Sequence, residues 1–316
     1  MLIRPQAESD YPGAVALLNR LYDDGLTVPH YAAQQAERQA DPPFCVLVAV
    51  AEGRLVGRAA GGSDPSLPDG EMICSVMVSP GMEGRGIGSA LFDQLLAFYR
   101  EHRPARLRAT VGDEQPEPLR WAEHRGFERR YHIVESRLDL TRWEPGRLSD
   151  RVAAARAGGF HVVPYGAIRT PGNDARLWQF YHALLRDTPD GAEWREPPCE
   201  RWLEWALEGP TAWPDGCLLL LDPAGEWIGL TFMKRYNDQS GDAHIYLTGI
   251  APWARGRGLS TVLKVEGACR ARAAGVRGLT TINEEQNRPI LAVNRRMGFA
   301  RTQGYYRLVR PWPGER

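Results

Sequence analysis

The sequence predicts an α/β (α+β) protein made of two tandem domains, each a mixed, mostly antiparallel sheet flanked by helices. The chain has 316 residues, which is enough for about two domains of ordinary size. A glycine-rich segment occurs twice, as SPGMEGRGIGSALF (79–92) and as APWARGRGLSTVLK (251–264). Each segment follows an apolar stretch of strand length and precedes apolar residues at helical spacing. The same order of local patterns at two places predicts the same fold twice.

The repeat extends far beyond the glycine-rich segments. Matched residues are separated by a constant 172 positions (225 − 53), as in Gly53 and Gly225, Gly57 and Gly229, Pro80 and Pro252, Gly86 and Gly258, and Gly126 and Gly298. Solenoid repeats are much shorter, at about 20–50 residues. We therefore expect two whole domains of one fold, an N-terminal domain at 1–142 and a C-terminal domain at 160–316.

Local patterns place the same elements in both copies, because apolar residues alternate or run together in strands and recur every three to four residues in helices. The first copy has a strand (2–5), a helix (9–24), three strands (44–50, 54–61, 72–78), a helix (89–102), a strand (106–111), a short helix (117–127) and a last strand (131–140). The second copy repeats this order at 160–168, 174–187, 217–222, 226–235, 244–250, 260–275, 278–282, 288–299 and 304–310.

Between the copies, residues 143–159 are polar and rich in arginine, and they end in Gly158-Gly159. Polar segments that end in glycine are typical of connections between domains. We expect this segment to be a linker.

Composition excludes several classes of function. The 39 basic and 39 acidic residues balance, so no overall charge favours nucleic acid or an anionic membrane. The five cysteines are odd in number and show no C-x-x-C spacing, which argues against a disulfide framework or a zinc site and suits a reducing cytosol. Arg4 precedes any apolar core, so we expect no signal peptide, and no apolar run reaches membrane-spanning length. We expect a cytoplasmic protein with no metal, nucleic-acid partner or membrane attachment.

A strand, a glycine-rich loop and a helix together form an anion site from backbone atoms. The first N–H groups of a helix have no partner within the helix, and the helix dipole adds positive potential. Glycine lets a phosphate approach these amides because it has no Cβ. The Gly-Lys-Ser/Thr ending of a Walker loop is missing, and Gly84-x-Gly86-x-Gly88 differs from the dinucleotide-binding G-x-G-x-x-G. The alternative is a structural turn, which two matched copies make less favourable.

The same residues resemble the motif of the GNAT acetyltransferase superfamily. In that family the fourth strand ends in an apolar-x-Pro step, followed by Arg/Gln-x-x-Gly-x-Gly/Ala and a helix. The first copy has Val78-Ser79-Pro80 and then EGRGIG (83–88), and the second has Ile250-Ala251-Pro252 and then RGRGLS (255–260). The resemblance extends to the Gly-Phe that closes the short helix in both copies. It covers nearly the whole chain, and two-domain members such as the mycothiol synthase-like proteins are similar in architecture.

The resemblance implies acetyl-coenzyme A as co-substrate, with its pyrophosphate on the loop amides and its pantetheine arm along the fourth strand. It also implies direct attack of an amine on the thioester, with a base for the amine proton and backbone donors for the oxyanion. The residues implied to contact the cofactor are Met77, Val78, Gly84, Arg85, Gly86, Ile87, Gly88 and Ser89 in the first copy, and Thr248, Gly249, Ile250, Arg255, Gly256, Arg257, Gly258, Leu259, Ser260 and Asn287 in the second.

Two positions favour the second copy as the better cofactor site. Arg255 stands at the basic position of the motif, where the first copy has Glu83. Asn287 stands where the family often has an asparagine that hydrogen-bonds the cofactor, and the first copy has Gln115 there. In the opposite direction, the glycine loop itself is more complete in the first copy.

The resemblance also implies catalytic residues in the second copy. Family members often place a general-base glutamate six residues before the apolar-x-Pro step, where this sequence has His244 in the second copy and Met72 in the first. A strand period of two predicts that His244, Tyr246 and Thr248 share one face, and we expect His244 and Tyr246 to be catalytic residues there. The alternative for His244 is a hydrogen-bonded structural role.

The usual acid of the family, a tyrosine four residues before the Gly-Phe, is missing. The two copies have Ala122 and Asn294 there. We assign the role to Tyr306 on the last strand, with Tyr305 and water as alternatives. Tyrosine on a strand also serves ordinary packing.

These observations predict an acetyl-coenzyme A-dependent N-acyltransferase that acts on a small-molecule amine, with catalysis in the C-terminal domain. The first copy is expected to bind cofactor or to serve as a scaffold, and catalysis there stays open. One alternative is a non-catalytic protein that binds or senses coenzyme A, which the missing tyrosine favours. The other is a protein N-acetyltransferase.

Overall fold

The computed structural model describes residues 1–22, 25–39, 43–236 and 240–312. The first copy contains β1 (Leu2–Pro5), α1 (Tyr11–Tyr22), α2 (Val28–Gln39), β2 (Phe44–Ala51), β3 (Arg54–Gly62), β4 (Glu71–Val78), α3 (Ile87–His102), β5 (Arg106–Gly112), α4 (Pro116–Glu123) and β6 (Glu128–Asp139). After α5 (Leu148–Ala157), the second copy contains β7 (His161–Pro164), α6 (Pro171–Arg186), α7 (Cys199–Leu203), β8 (Cys217–Leu221), β9 (Trp227–Arg235), β10 (Ala243–Ile250), α8 (Leu259–Ala273), β11 (Gly278–Glu284), α9 (Arg288–Met297) and β12 (Ala300–Pro311). Helices α2, α5 and α7 were not predicted from the sequence.

The chain forms two units whose limits differ from those of the sequence copies. Unit 1 comprises Met1–Val111, Gln115–Arg130 and Arg307–Arg316, and unit 2 comprises Gly112–Glu114 and Tyr131–Tyr306. The last strand of each copy is therefore divided between the units. Most of β6 belongs to unit 2, and the end of β12 belongs to unit 1. The boundaries 1–142 and 160–316 mark the sequence repeat and not the units.

Unit 1 contains a mixed, mostly antiparallel sheet. β1, β2, β3 and β4 pair in that order, all antiparallel, and β4 pairs with β5 in parallel. Helix α3 is amphipathic, and its buried residues recur at helical spacing: Ile87, Leu91, Phe92, Leu95 and Tyr99. An added Cβ on Gly57 of β3 would lie 2.9 Å from Leu91 Cδ1, so glycine is what lets the helix approach the sheet.

Unit 2 contains the corresponding sheet. β7, β8, β9 and β10 pair in that order, all antiparallel. β10 pairs with β11 in parallel, and β11 pairs with β6 antiparallel. Gly229 of β9 repeats the packing of Gly57, since an added Cβ would lie 2.6 Å from Ile250 Cδ1 and 3.0 Å from Leu263 Cδ1. The predicted fold class is confirmed.

The segment 143–159, expected to be a linker, is a folded part of unit 2. It contains α5, and Trp143 and Val152 lie in the core cluster formed with residues of α8 and α9. Trp143 Nε1 donates a hydrogen bond of 2.8 Å to the carbonyl of Met297. The arginines of this segment are exposed, and its helix is rich in alanine, the strongest helix former.

None of the helices in the described part of the chain combines the length and the apolar character needed to cross a membrane. The longest, α3 and α6, have 16 residues each.

Candidate active site

The site is built where the two parallel strands of unit 2 separate. β10 pairs with β11 only at Ala243, His244 and Ile245, although β10 continues to Ile250. The rest of β10 pairs with β9 on its other side. One edge of β10 is therefore open to an extended ligand. In unit 1, β4 likewise pairs with β5 only at 71–73 and continues to Val78.

A β-bulge distinguishes β10 from β4. The register between β9 and β10 shifts between Ile245 and Leu247, so Tyr246 is the extra residue. The pairing of β3 with β4 runs from Gly57↔Val78 to Gly62↔Ile73 without a shift. Unit 2 thus carries a local distortion at the end of the paired segment that unit 1 lacks.

The bulge corrects the prediction that His244, Tyr246 and Thr248 share one face. Ile245 packs in the core cluster with α8, whereas Leu247 packs in the cluster with α6 and α7. Alternation therefore switches at Tyr246. The Tyr246 ring lies 4.7 Å from the ring of His244 on the α6–α7 side. Thr248 lies on the α8 side, where its hydroxyl is 2.8 Å from that of Thr231.

His244 is buried, with 8% of its surface exposed. Its Nδ1 lies 2.7 Å from Thr280 Oγ1 and 3.3 Å from Tyr236 Oη. Burial lowers the pKa of His244 to about 4. The positive charge of Lys264 lowers this pKa further, and the negative charge of Glu135 raises it. His244 is therefore neutral near pH 7, which leaves a nitrogen able to accept a proton but makes it a weak base.

Aromatic side chains and a lysine surround the bulge. Trp205, in a π-helical turn at Glu204–Glu208, lies 5.1 Å from Tyr246 between ring centres. Lys234 Nζ is 3.9 Å from the Trp205 ring and donates to the Trp205 carbonyl. Burial lowers the pKa of Lys234 to about 8. Tyr236, Tyr246 and Trp205 are each about two fifths exposed, so this group of residues, the β10 aromatic cluster, faces solvent.

Sequence analysis did not identify three residues of the β10 aromatic cluster: Trp205, Lys234 and Tyr236. Lys234 lies opposite His244 in the sheet. Knowledge of how β9 pairs with β10 would therefore have identified Lys234 as a neighbour of His244. Trp205 lies in a segment rich in Trp, Pro and Glu whose contacts depend on tertiary structure.

Both glycine loops have the backbone geometry expected of an anion site. Gly86 and Gly258 precede the first residues of α3 and α8, with φ of 78° and 74° and no side-chain cap. Gly84 and Gly256 have φ of 73° and 78°. This left-handed conformation favours glycine. The first amides of α3 and α8 therefore face an open surface without competing side chains from their own loop.

The charged side chains near the loops make contacts that the sequence did not show. Glu83 accepts a hydrogen bond of 2.7 Å from the Gly81 amide. Arg255 Nε donates to the Ile250 carbonyl at 2.9 Å, and its Nη2 donates to Asp187 at 2.6 Å. Arg255 thus braces the loop of unit 2. A different cation lies over that loop: Arg151 Nη1 is 2.8 Å from where a Cβ on Gly258 would be.

Asn287 and Tyr306 occupy different parts of unit 2. Asn287 is the residue before α9, at the C-terminal end of β11. The Tyr306 ring stacks on His132 of β6 at 4.5 Å. In the strand order, β6 and β11 lie between β12 and β10. The structure therefore does not bring Tyr306 to His244, because β6 of the first copy takes the place beside β11.

His132 is the centre of an ion-pair cluster that sequence analysis did not identify. Its Nε2 lies 2.7 Å from Asp113 and its Nδ1 lies 2.9 Å from Glu285. Burial lowers the pKa of His132, but the hydrogen bonds to the two carboxylates outweigh burial and raise it. This cluster stabilises the β6–β11 region away from the bulge.

Comparison with known proteins identifies the family. The model of the acetyltransferase (GNAT) family matches residues 14–127 and again residues 177–299. The protein belongs to the GNAT family. The mycothiol acetyltransferase of Actinosynnema mirum is 27% identical over 274 residues, covering 81% of this chain and 80% of its own length.

Two solved structures share the tandem architecture. A GCN5-related N-acetyltransferase from Sphaerobacter thermophilus superposes with a TM-score of 0.72 at 18% identity, covering 99% of this chain and 96% of the other. A tandem GNAT protein from the clavulanic acid biosynthesis pathway superposes with a TM-score of 0.71 at 22% identity, covering 99% of each chain. These two likenesses concern the fold.

The GNAT protein described here is an acetyl-coenzyme A-dependent N-acetyltransferase. The residues present fit the co-substrate, because each unit offers glycine-loop amides at a helix start beside an open strand edge. In the described ranges, no group of three or more His, Cys, Asp or Glu side chains is placed to hold a metal ion.

Proposed function

We propose that acetyl transfer takes place in unit 2 and that the acceptor is a small-molecule amine. The observation that carries this proposal is that the rings of His244 and Tyr246 lie together, 4.7 Å apart, at the bulge where β10 separates from β11. The matched position to His244 in unit 1 is Met72, on a strand that has no bulge. The name of the Actinosynnema mirum relative supports a small acceptor.

Different residues of unit 2 have different proposed roles. The amides of 255–260 bind the pyrophosphate, since helix N-termini attract anions. The open edge of β10, from Thr248 to Ile250, aligns the pantetheine arm. Bound acetyl-coenzyme A supplies the thioester carbonyl that the acceptor attacks. Trp205 and Tyr246 cover the acceptor and exclude water.

His244 is the proposed acceptor of the proton from the attacking nitrogen. Its neutral state near pH 7 follows from the pKa of about 4 that burial gives it. A base this weak does not deprotonate a free alkylammonium ion, whose pKa is near 10. It can accept the proton that becomes acidic once the nitrogen has bonded to the carbonyl carbon. Thr280, 2.7 Å away, fixes the ring orientation.

Unit 1 is proposed to bind coenzyme A without turnover. Its loop from Gly84 to Ser89 is open, since no atom lies within 4 Å of a Cβ placed on Gly84 or Gly86. Met77 and Val78 on β4 offer the strand edge. Met72 cannot take a proton.

The experiment measures thiol release from acetyl-coenzyme A with a panel of small amines. Gly258→Asp should abolish turnover and coenzyme A binding at unit 2, because a side chain and a negative charge would occupy the pyrophosphate site. Gly86→Asp makes the same change in unit 1 and should leave turnover intact. Calorimetry reports which site each variant has lost. Turnover that survives Gly258→Asp and fails in Gly86→Asp would place the chemistry in unit 1.

A further inference from the structure

Helix α8 carries a buried lysine that the steps above do not use. Lys264 is 2% exposed, and within the described residues its Nζ has no hydrogen-bond partner. The amine lies 4.9 Å from the centre of the Phe299 ring. An unpaired amine in the interior costs folding free energy. A ligand that brings a polar group to this amine would offset that cost.

The first copy shows that the fold does not require this lysine. The residues matched to Lys264 and Phe299 are Phe92 and Phe127, at the same offset of 172 (264 − 92). Their rings pack with centres 6.2 Å apart, and both residues are buried. The same position thus holds an apolar ring in one copy and an amine in the other.

Two asparagines in unit 2 also stand where the first copy has apolar residues. Asn294 of α9 is 2% exposed and donates to Asn283 Oδ1 of β11 at 2.8 Å. Within the part of the chain that the structure describes, Asn294 Oδ1 has no partner. The matched residues in the first copy, Ala122 and Val111, are apolar. At these three positions unit 2 therefore has polar residues where the first copy has apolar ones.

Contacts with Phe299 and Asn283 link these residues to the end of β11 that separates from β10. Leu263 and Gly267 of α8 face β9, and Val265 and Ala268 pack in the cluster with Phe299. Lys264 lies about 100° round the helix from Leu263, between these two packing faces. Asn283 lies two residues beyond the last pair of β11 with β10. The Phe299 amide donates to the carbonyl of Asn294 at 3.0 Å, so the ring beside Lys264 is anchored to Asn294.

We propose that Lys264 donates a hydrogen bond, and then a proton, to the sulfur of coenzyme A as the thiol leaves. This inference rests on the proposed site of transfer in unit 2. Asn294 stands where the family usually places the tyrosine acid, and Lys264 on α8 contacts Phe299, the residue whose amide bonds to Asn294. Burial brings the pKa of Lys264 to about 7, which suits an acid that works near neutral pH.

The electron pairs and protons of this step are all accounted for by the acceptor, the thioester, Lys264 and His244. The acceptor nitrogen bonds to the carbonyl carbon, the C–S bond breaks, and its electron pair goes to sulfur. The sulfur takes a proton from the Lys264 ammonium, and the acceptor nitrogen gives one to His244. Lys264 and His244 return to their starting states by exchange with solvent.

The test compares binding of coenzyme A with that of desulfo-coenzyme A, which lacks the sulfur atom, in a Gly86→Asp background that leaves only the unit 2 site. We expect the protein with Lys264 to prefer coenzyme A by about tenfold or more, the range for a hydrogen bond to a charged group. Lys264→Met should reduce this preference to within about twofold. Phe92→Met, the matched change in unit 1, should not alter this preference.

An unchanged preference in Lys264→Met overturns the inference. So does acetylation of Lys264 by acetyl-coenzyme A, detected by mass spectrometry, since it would make the amine a nucleophile. Failure of the Gly86→Asp protein to bind coenzyme A at all refutes instead the proposed site in unit 2, and the inference with it. Lys264→Phe, which recreates the ring pair of the first copy, provides a second apolar variant if the methionine variant does not fold.

Discussion

Replacing Lys264 with methionine is expected to stabilise unit 2, and to do so more at acidic pH than at alkaline pH. The folded protein lowers the pKa of this amine from 10.5 to about 7 because burial disfavours its charge. Between these values the unfolded chain holds a proton that the folded protein has released. Stability of the unsubstituted protein therefore rises with pH across this range, and the contribution of Lys264 disappears in the variant.

The size of the effect follows from the pKa values. One unit of pKa corresponds to about 1.4 kcal/mol. The stability advantage of Lys264→Met should therefore shrink by about 4 kcal/mol between about pH 6 and about pH 10. Lys234, the buried cysteines and the tyrosines also titrate differently in the folded and unfolded states. They are common to both proteins, so the difference between the two proteins isolates Lys264.

Equilibrium urea unfolding followed by tryptophan fluorescence measures this difference. Unit 2 contains most of the ten tryptophans, so the fluorescence reports mainly its unfolding. Phe92→Met in unit 1 provides the control, since its stability change should not depend on pH. A stability difference between Lys264→Met and the unsubstituted protein that is the same at both pH values would show that the amine is not buried without a partner.

Two further changes test the site and the fold. His244→Ala should lower kcat by roughly 10²-fold, the usual scale for a lost base, and leave the affinity for coenzyme A unchanged. Met72→Ala, the matched change in unit 1, should not alter kcat. Thiol-release assays measure kcat, and calorimetry measures the affinity. Asp242→Asn should destabilise the protein by about 1–3 kcal/mol in urea unfolding, because Asp242 is buried and accepts two hydrogen bonds from Arg137, at 2.6 and 2.9 Å. Glu117→Gln, in an exposed pair, should change stability by less than about 0.5 kcal/mol. Equal losses from the two carboxylate changes would contradict this assignment.

Comparison of the two copies was the strongest source of prediction. It located the glycine loops, and the structure gives Gly86 and Gly258 the positive φ that such loops need. The same comparison contained the signal for Lys264, since a lysine replaces Phe92 among the apolar positions of a helix. A lysine on a helix is ordinarily exposed, so the sequence alone does not indicate that this one is buried.

Other residues could not be placed from the sequence. The bulge at Tyr246 moved Thr248 to the opposite face from His244, and a bulge depends on how two strands pair. Tyr306 was assigned to the site of its own copy, but β6 lies between β12 and β11. Trp205 contacts Tyr246 from a turn that follows α7, although the two residues are distant in sequence.

The sequence by itself determined the tandem repeat, the order of the elements, the two glycine loops and the family. These properties are local, because a strand, a glycine turn and a helix each follow from neighbouring residues. The tertiary structure decided which strands complete each unit, which side chains meet at the end of β10, and that Lys264 is buried without a partner. Those outcomes depend on strand pairing and on packing between residues far apart in the chain, where the free energy of one contact depends on many others.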